Sequence, residues 1–260
     1  MKDAQSSIIL KDICFKRDST YILKDINFSA EKGTFTTIIG PNGAGKTTLI
    51  KIITGLLKPT SGQITVTECT TPCSRDNCSK ISYVPQTKNI DTSLPFSIFD
   101  IILMGTINNK KLLSKISKEE REKALYAAEL TQITDILNKP VGEVSGGQLQ
   151  RAFIARALSQ SCNILVLDEP IAGIDIGGTE AIHNLLKSLT TKGKTIIYVS
   201  HDLGLISRVT DTIACLNISL FAHGKPKEVL TGENLKKMYG TDMAYLYHNL
   251  PYALVGEHKD

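Results

Sequence analysis

Gly40-Pro41-Asn42-Gly43-Ala44-Gly45-Lys46-Thr47-Thr48 decides the fold. It follows Phe35-Thr36-Thr37-Ile38-Ile39, a β-branched run that reads as a strand, and leads into Leu49-Ile50-Lys51-Ile52-Ile53, whose apolar spacing suits a helix. Gly, four free positions and Gly-Lys-Thr between a strand and a helix make a phosphate loop. The glycines let the main chain bend until consecutive amides face an anion, and the helix behind adds its positive end. All nine residues are candidate nucleotide contacts. Lys46 is placed to neutralise β- and γ-phosphates, Thr47 to offer its hydroxyl to Mg²⁺, and Thr48 to reach the α-phosphate.

The rest of the chain bounds what this loop can serve. Its 260 residues allow a substantial core, and 30 basic against 26 acidic residues are too balanced for a nucleic-acid partner. No run approaches the ~18 apolar residues that cross a bilayer, so membrane association is expected through a partner. Only three apolar residues follow the polar start, which does not read as a secretory signal, and a cytosolic chain is expected. Of six cysteines, Cys69, Cys73 and Cys78 lie close together. Their spacing fits no zinc ribbon or finger, so free thiols are expected over a metal site.

Outward from the loop, residues 8–15 and 21–28 alternate as two strands of an antiparallel hairpin, and residues 63–66 and 81–86 read as further strands. The polar, cysteine-bearing stretch 67–80 reads as a surface loop. Beyond Gln86 the composition turns helical, with Ser117-Lys118-Glu119-Glu120 matching a capping box. Ile164-Leu165-Val166-Leu167-Asp168-Glu169 and Thr195-Ile196-Ile197-Tyr198-Val199-Ser200-His201 read as buried parallel strands around a helix at 180–189. Polar residues fall just past strand carboxyl ends, where open α/β sheets bind ligands. The expected fold is α/β: a mostly parallel sheet with an N-terminal antiparallel β subdomain and an inserted helical lobe.

Hydrolysis of a γ-phosphate needs a cradle, a metal, an oriented water and a group to place charge. Asp168 is expected to hold Mg²⁺ opposite Thr47, and Glu169 to act as general base. Val144-Ser145-Gly146-Gly147-Gln148 then offers two exposed glycine amides and a hydroxyl at another helix start, a second anion grip. One nucleotide has little use for both grips on one side. A head-to-tail pair of chains is the economical arrangement, and it depends on the resemblance that follows.

With residues 40–48, Gln86, residues 145–148, Asp168-Glu169, Ala172-Gly173-Ile174-Asp175 and His201 in this order, the chain resembles the ATP-binding subunit of an ABC transporter over nearly all of residues 8–240. The resemblance implies a P-loop ATPase core, ATP and Mg²⁺ as ligands, and coupling of hydrolysis to transport. It implies that Ser145 and Gly147 of one copy, with Gly146 and Gln148 beside them, close over the γ-phosphate held by the other. It assigns Gln86 to sensing Mg²⁺ and γ-phosphate, Asp175 to the dimer interface and His201 to a γ-phosphate contact. The implied organisation is one domain over residues 1–260: a core of 8–86 and 160–240, a lobe at 87–159, and a tail at 241–260.

Leu94-Pro95-Phe96-Ser97-Ile98-Phe99-Asp100-Ile101-Ile102-Leu103-Met104-Gly105, the Ala172-Gly173-Ile174-Asp175 variant and Phe221-Ala222-His223-Gly224-Lys225-Pro226 followed by Glu228-Val229-Leu230 resemble the zinc, manganese or iron uptake branch. That branch implies a polytopic permease, an external metal-binding protein, and a peripheral place on the cytoplasmic face of the cell membrane. The alternatives are the ATPase of a siderophore, haem or cobalamin importer, and a soluble ABC ATPase such as a cluster-assembly factor. Two positions depart from the family. Arg17 stands where an aromatic usually stacks on adenine, leaving Arg17, Phe15 and Tyr21 as alternatives, and Val144 replaces the usual Leu. In the tail, a regulatory metal site at His248 and His258 is the alternative to a packed or frayed terminus.

Overall fold

In a computed structural model, the described residues are 6–67, 81–86, 95–107, 115–160, 162–171, 174–200 and 209–239. The opening alternation becomes two long strands, Ser6–Arg17 (β1) and Thr20–Glu31 (β2), paired antiparallel with Lys16 opposite Tyr21 and Arg17 opposite Thr20. The pairing shifts register near Asp12 and Asp25, at φ 51° and 50°. Aspartate accepts this left-handed conformation more readily than most residues. Ile8, Leu10, Ile13, Leu23, Ile26 and Phe28 are turned inward and buried.

Phe35–Ile39 (β3) is buried at every position and runs into the loop, and Lys46–Ile53 (α1) follows. Ser61–Val66 (β4) returns to the other edge of β1, giving a three-stranded antiparallel sheet in the order β2-β1-β4. The main sheet takes Ile81–Val84 (β5), Ile164–Asp168 (β6), Thr195–Val199 (β7), Thr212–Asn217 (β8) and Ser219–Gly224 (β9). Its order is β5-β6-β7-β3-β8-β9, parallel except for the β8–β9 pair. β3, β6 and β7 are covered on both faces, which is why they read as unbroken apolar runs. On one face Ile38, Val166, Ile197 and Val199 join Leu49, Ile50 and the hairpin's apolar side. On the other, Phe35, Leu165, Leu167, Ile196 and Tyr198 join the helices.

The helical region comprises Ile98–Leu103 (α2), Lys118–Leu130 (α3) and Gly146–Ser159 (α4), with single 3₁₀ turns at Thr134–Ile136 and Val141–Glu143. Ser97, Ser117 and Ser145 each cap a helix through a complete capping box, the middle one as expected. A Cβ on Gly105 would lie 2.0 Å from the Arg156 carbonyl oxygen, so only glycine lets the end of α2 approach α4. Ser159 Oγ, which donates to the Ile102 carbonyl at 3.0 Å, fastens the same crossing. Ile98, Ile102, Ala128 and Ile154 share one apolar cluster with Leu165 and Tyr198, so lobe and sheet are packed together.

Ile176–Thr191 (α5) starts earlier than the expected 180, because the Asp175 carboxylate caps it by accepting from the Gly178 amide. Pro226–Val229 (α6) and Gly232–Tyr239 (α7) close the described chain. Cys69, Cys73 and Cys78, Ala172, Gly173, His201 and the tail with His248 and His258 lie outside the described residues.

Candidate functional site

The loop's shape follows from where a side chain will not fit. A Cβ on Gly40 would lie 2.1 Å from the Leu216 carbonyl oxygen of β8, so the end of β3 passes directly against its neighbour. Gly45 sits at φ 94°, and its Cβ would meet Leu23 Cδ2 at 2.7 Å and the Ile22 carbonyl at 2.8 Å. Leu23 of the hairpin thereby braces the loop from behind. Gly43, at φ 81°, faces open space.

Helix α1 differs from its neighbours at the end that matters. α2 to α5 have side-chain caps, whereas α1 begins at Gly45 with no side-chain cap and no acidic residue in its first turn. Its leading amides are left for an external acceptor. Lys46 is buried, with Nζ donating to the carbonyls of Gly40 and Pro41 at 2.7 and 2.8 Å. Burial lowers its pKa, while Glu169 and Asp168 pull it back up.

Asp168 ends β6 almost wholly buried. Burial raises its pKa and a hydrogen bond from Thr47 lowers it, with burial prevailing. Its carboxylate oxygen Oδ2 is buried with no hydrogen-bond partner among the described residues. Glu169 turns the chain at φ 47°, an uncommon conformation for a residue with a side chain, while its amide still bonds the Val199 carbonyl at 3.1 Å. Gln86, two residues past β5, donates through Nε2 to the Glu169 carboxylate. Gly40, Pro41, Asn42, Thr47, Gln86 and Glu169 line a cavity of about 520 Å³, and Tyr239 completes its wall.

Ser145 and Gln148 belong elsewhere. The Gln148 amide donates to Ser145 Oγ at 3.3 Å and the Ser145 amide to Gln148 Oε1 at 3.0 Å, so the serine is first of all the cap of α4. Its hydroxyl keeps a proton to donate. A Cβ on Gly146 would meet nothing within 4 Å, so this helix start is open to whatever approaches it. Ser145, Gly147, Gln148, Arg151 and Asp175 line a second cavity of about 440 Å³, which shares no residue with the first.

Arg17 ends β1 exposed and enters neither wall. The partly exposed Tyr21 ring carries the Lys16 ammonium 4.3 Å from its centroid, and Phe15 is half-buried against the hairpin's core. Tyr239 was not expected at the cavity: its segment reads only as a short helix before a glycine, and no local pattern says where that helix points. Among the described residues, no group of three or more His, Cys, Asp or Glu is placed to hold a metal ion by itself, and no helix is long and apolar enough to cross a membrane.

Comparisons with known proteins agree with this geometry. A family model described as ABC transporter matches residues 23–172. The manganese transport system ATP-binding protein MntB of Listeria monocytogenes is 41% identical over 218 residues, which is 84% of this chain and 90% of that one. The zinc transport system ATP-binding protein TroB of Treponema pallidum is 37% identical over 219 residues, 84% of this chain and 81% of its own. Among solved structures, the dimeric bacterial ABC transporter cassette MJ0796 superposes with a TM-score of 0.73 at 30% identity, over 84% of this chain and 98% of that one.

Proposed function

The chain belongs to the ABC transporter ATP-binding family, and from that premise we propose that it is the energy-coupling ATPase of a metal-ion importer, working as a head-to-tail pair on a membrane permease. The metal-uptake reading rests on the manganese and zinc relatives above, each aligned over most of both chains. In this reading, selection of the ion belongs to the permease and an external binding protein. Phe96, Met104, Ile107 and Ile116, large and exposed in or beside the helical region, supply an apolar surface for the permease. Docked on that permease, the chain would work peripherally at the cytoplasmic face of the cell membrane.

ATP lies with its phosphates against residues 40–48. Lys46 exchanges the Gly40 and Pro41 carbonyls for phosphate oxygens, and the uncapped amides of α1 bind the β-phosphate. The orphaned Asp168 Oδ2 and the Thr47 hydroxyl that bonds Asp168 are a donor set that fits Mg²⁺, and Gln86 lines the same cavity as Thr47. Bound there, Mg²⁺ would neutralise charge on the β- and γ-phosphate oxygens. Glu169 takes a proton from the attacking water as the bond between Pγ and the bridging oxygen breaks, giving ADP and phosphate. Gln86, already bonded to Glu169, holds that carboxylate in place.

One observation carries the paired arrangement: the two phosphate-gripping helix starts line separate cavities of a single chain. A two-fold pairing brings each to the other's counterpart and completes two sites at once. The test compares mixed pairs carrying the same two lesions in different arrangements. With Lys46→Ala on one copy and Ser145→Ala on the other, both lesions fall in one composite site and the second stays intact. With both on one copy, each site carries one lesion. Composite sites predict that the split pair hydrolyses ATP and the double-mutant pair does not. The reverse order refutes the pairing, because a site complete within one chain would survive only in the second arrangement.

A further inference from the structure

Tyr239 is half-buried at the end of α7, while Leu235 and Met238 on the same helix are buried in the main core. The helix is firmly held. Asn234 Nδ2 donates to the Val229 carbonyl at 2.8 Å, the Leu235 amide to the Thr231 carbonyl at 2.9 Å, and the Lys237 ammonium lies 5.5 Å from the Phe221 ring centroid. A packed helix therefore sets Tyr239 at the wall of the cavity that residues 40–42, Thr47, Gln86 and Glu169 also line. Two other side-chain donors at that cavity are engaged, Thr47 with Asp168 and Gln86 with Glu169. Among the described residues, no hydrogen bond occupies the Tyr239 hydroxyl.

We propose that Tyr239 is a further substrate-contacting residue, whose hydroxyl donates a hydrogen bond to a γ-phosphate oxygen of bound ATP and fixes that group against Gln86 and Glu169. This rests on the reading of the cavity as the γ-phosphate site. Burial first, and the neighbouring Cys215 second, push the Tyr239 pKa up to about 12. The phenol is thus a neutral donor at every working pH and adds no repulsive charge. Negative charge spreads over the γ-oxygens as the phosphoryl group separates, and a half-buried donor held by its helix stabilises that charge without reorganising.

The test is Tyr239→Phe in the full-length chain assembled with its permease, since phenylalanine keeps the ring and removes only the hydroxyl. The expected result is a roughly tenfold or greater fall in kcat, KM within about threefold of the parent, and an unchanged melting temperature. The ratio to the parent should stay constant between about pH 6.5 and 8.5, because the phenol does not titrate there. A kcat within twofold of the parent overturns the proposal. So does a fall that comes with a lowered melting temperature and weakened ATP binding, since the ring would then act only in packing. Lys46→Ala, measured alongside, separates the two readings: if it binds ATP as tightly as the parent, the cavity assignment itself fails whatever Tyr239→Phe does.

Discussion

Gly40→Ala is the sharpest perturbation of the phosphate loop, because the obstacle is main chain. The new Cβ would stand 2.1 Å from the Leu216 carbonyl oxygen, where a carbon-to-oxygen contact normally needs about 3.3 Å. Something must therefore move by about 1 Å. β3 and β8 are paired in register, with Ile38 opposite Ala214 and Ile39 opposite Cys215, so the strand cannot slide away alone. Retreat into the loop is closed by Ala44 Cβ at 3.2 Å. Overpacking of this kind costs about 1–3 kcal/mol, which in a chain of this size lowers Tm by roughly 2–12 °C. The functional loss should be larger than the stability loss suggests. A displacement of ~1 Å in residues that grip a reacting group costs on the order of a hundredfold in rate. Scanning calorimetry and steady-state ATP hydrolysis measure the two effects. Gly43→Ala is the comparison: its φ of 81° is strained for alanine, but its Cβ meets nothing within 4 Å, so it should cost about 1–2 kcal/mol without moving the loop. If Gly40→Ala keeps the parent's Tm and rate, or proves milder than Gly43→Ala in both assays, the steric reasoning is wrong.

Two carboxylate changes should part stability from activity. Burial raises the Asp168 pKa, so folding disfavours its ionised form. That group's contribution to stability declines as pH rises from the unfolded pKa through the folded one, and the deficit persists at neutral pH. Asp168→Asn should therefore raise Tm at neutral pH, with the gain shrinking as pH falls through the acid range, and abolish Mg²⁺-dependent hydrolysis; a lower Tm near pH 7 would contradict the burial argument. Glu169→Gln keeps an oxygen to accept from Gln86, so ATP binding should persist and an ATP-dependent dimer accumulate on a sizing column while turnover falls by ~10²–10⁴. Hydrolysis at the parent's rate would remove Glu169 from the base role.

The parts legible in the sequence are those whose chemistry is local. A phosphate loop is written in consecutive residues because its function is carried by consecutive amides, and residues 40–48 needed only a strand before and a helix after. Ser117 could be read as a cap because its partner, Glu120, lies three positions away. The order β5-β6-β7-β3-β8-β9 is different in kind: it depends on which buried faces meet, and strands equally apolar on both faces do not record their neighbours. Gly105 shows the same limit, since nothing beside it announces that the Arg156 carbonyl will stand where its side chain would be.

The site divides along the same line. That Lys46, Thr47, Asp168 and Glu169 come together was legible because each ends or follows a strand or opens a helix, and open α/β sheets gather such ends at one edge. Tyr239 was not, because it reaches that edge through the packing of α7 on the main core, with Leu235 and Met238 as anchors. Anchors of that sort say that a helix is buried somewhere, never against what. A hydrolytic site assembled from several strand ends will therefore show its phosphate grip in sequence and conceal the residues that later helices deliver to it. Those residues are also the ones whose loss should change rate more than binding, since the grip that holds the nucleotide remains when they are gone.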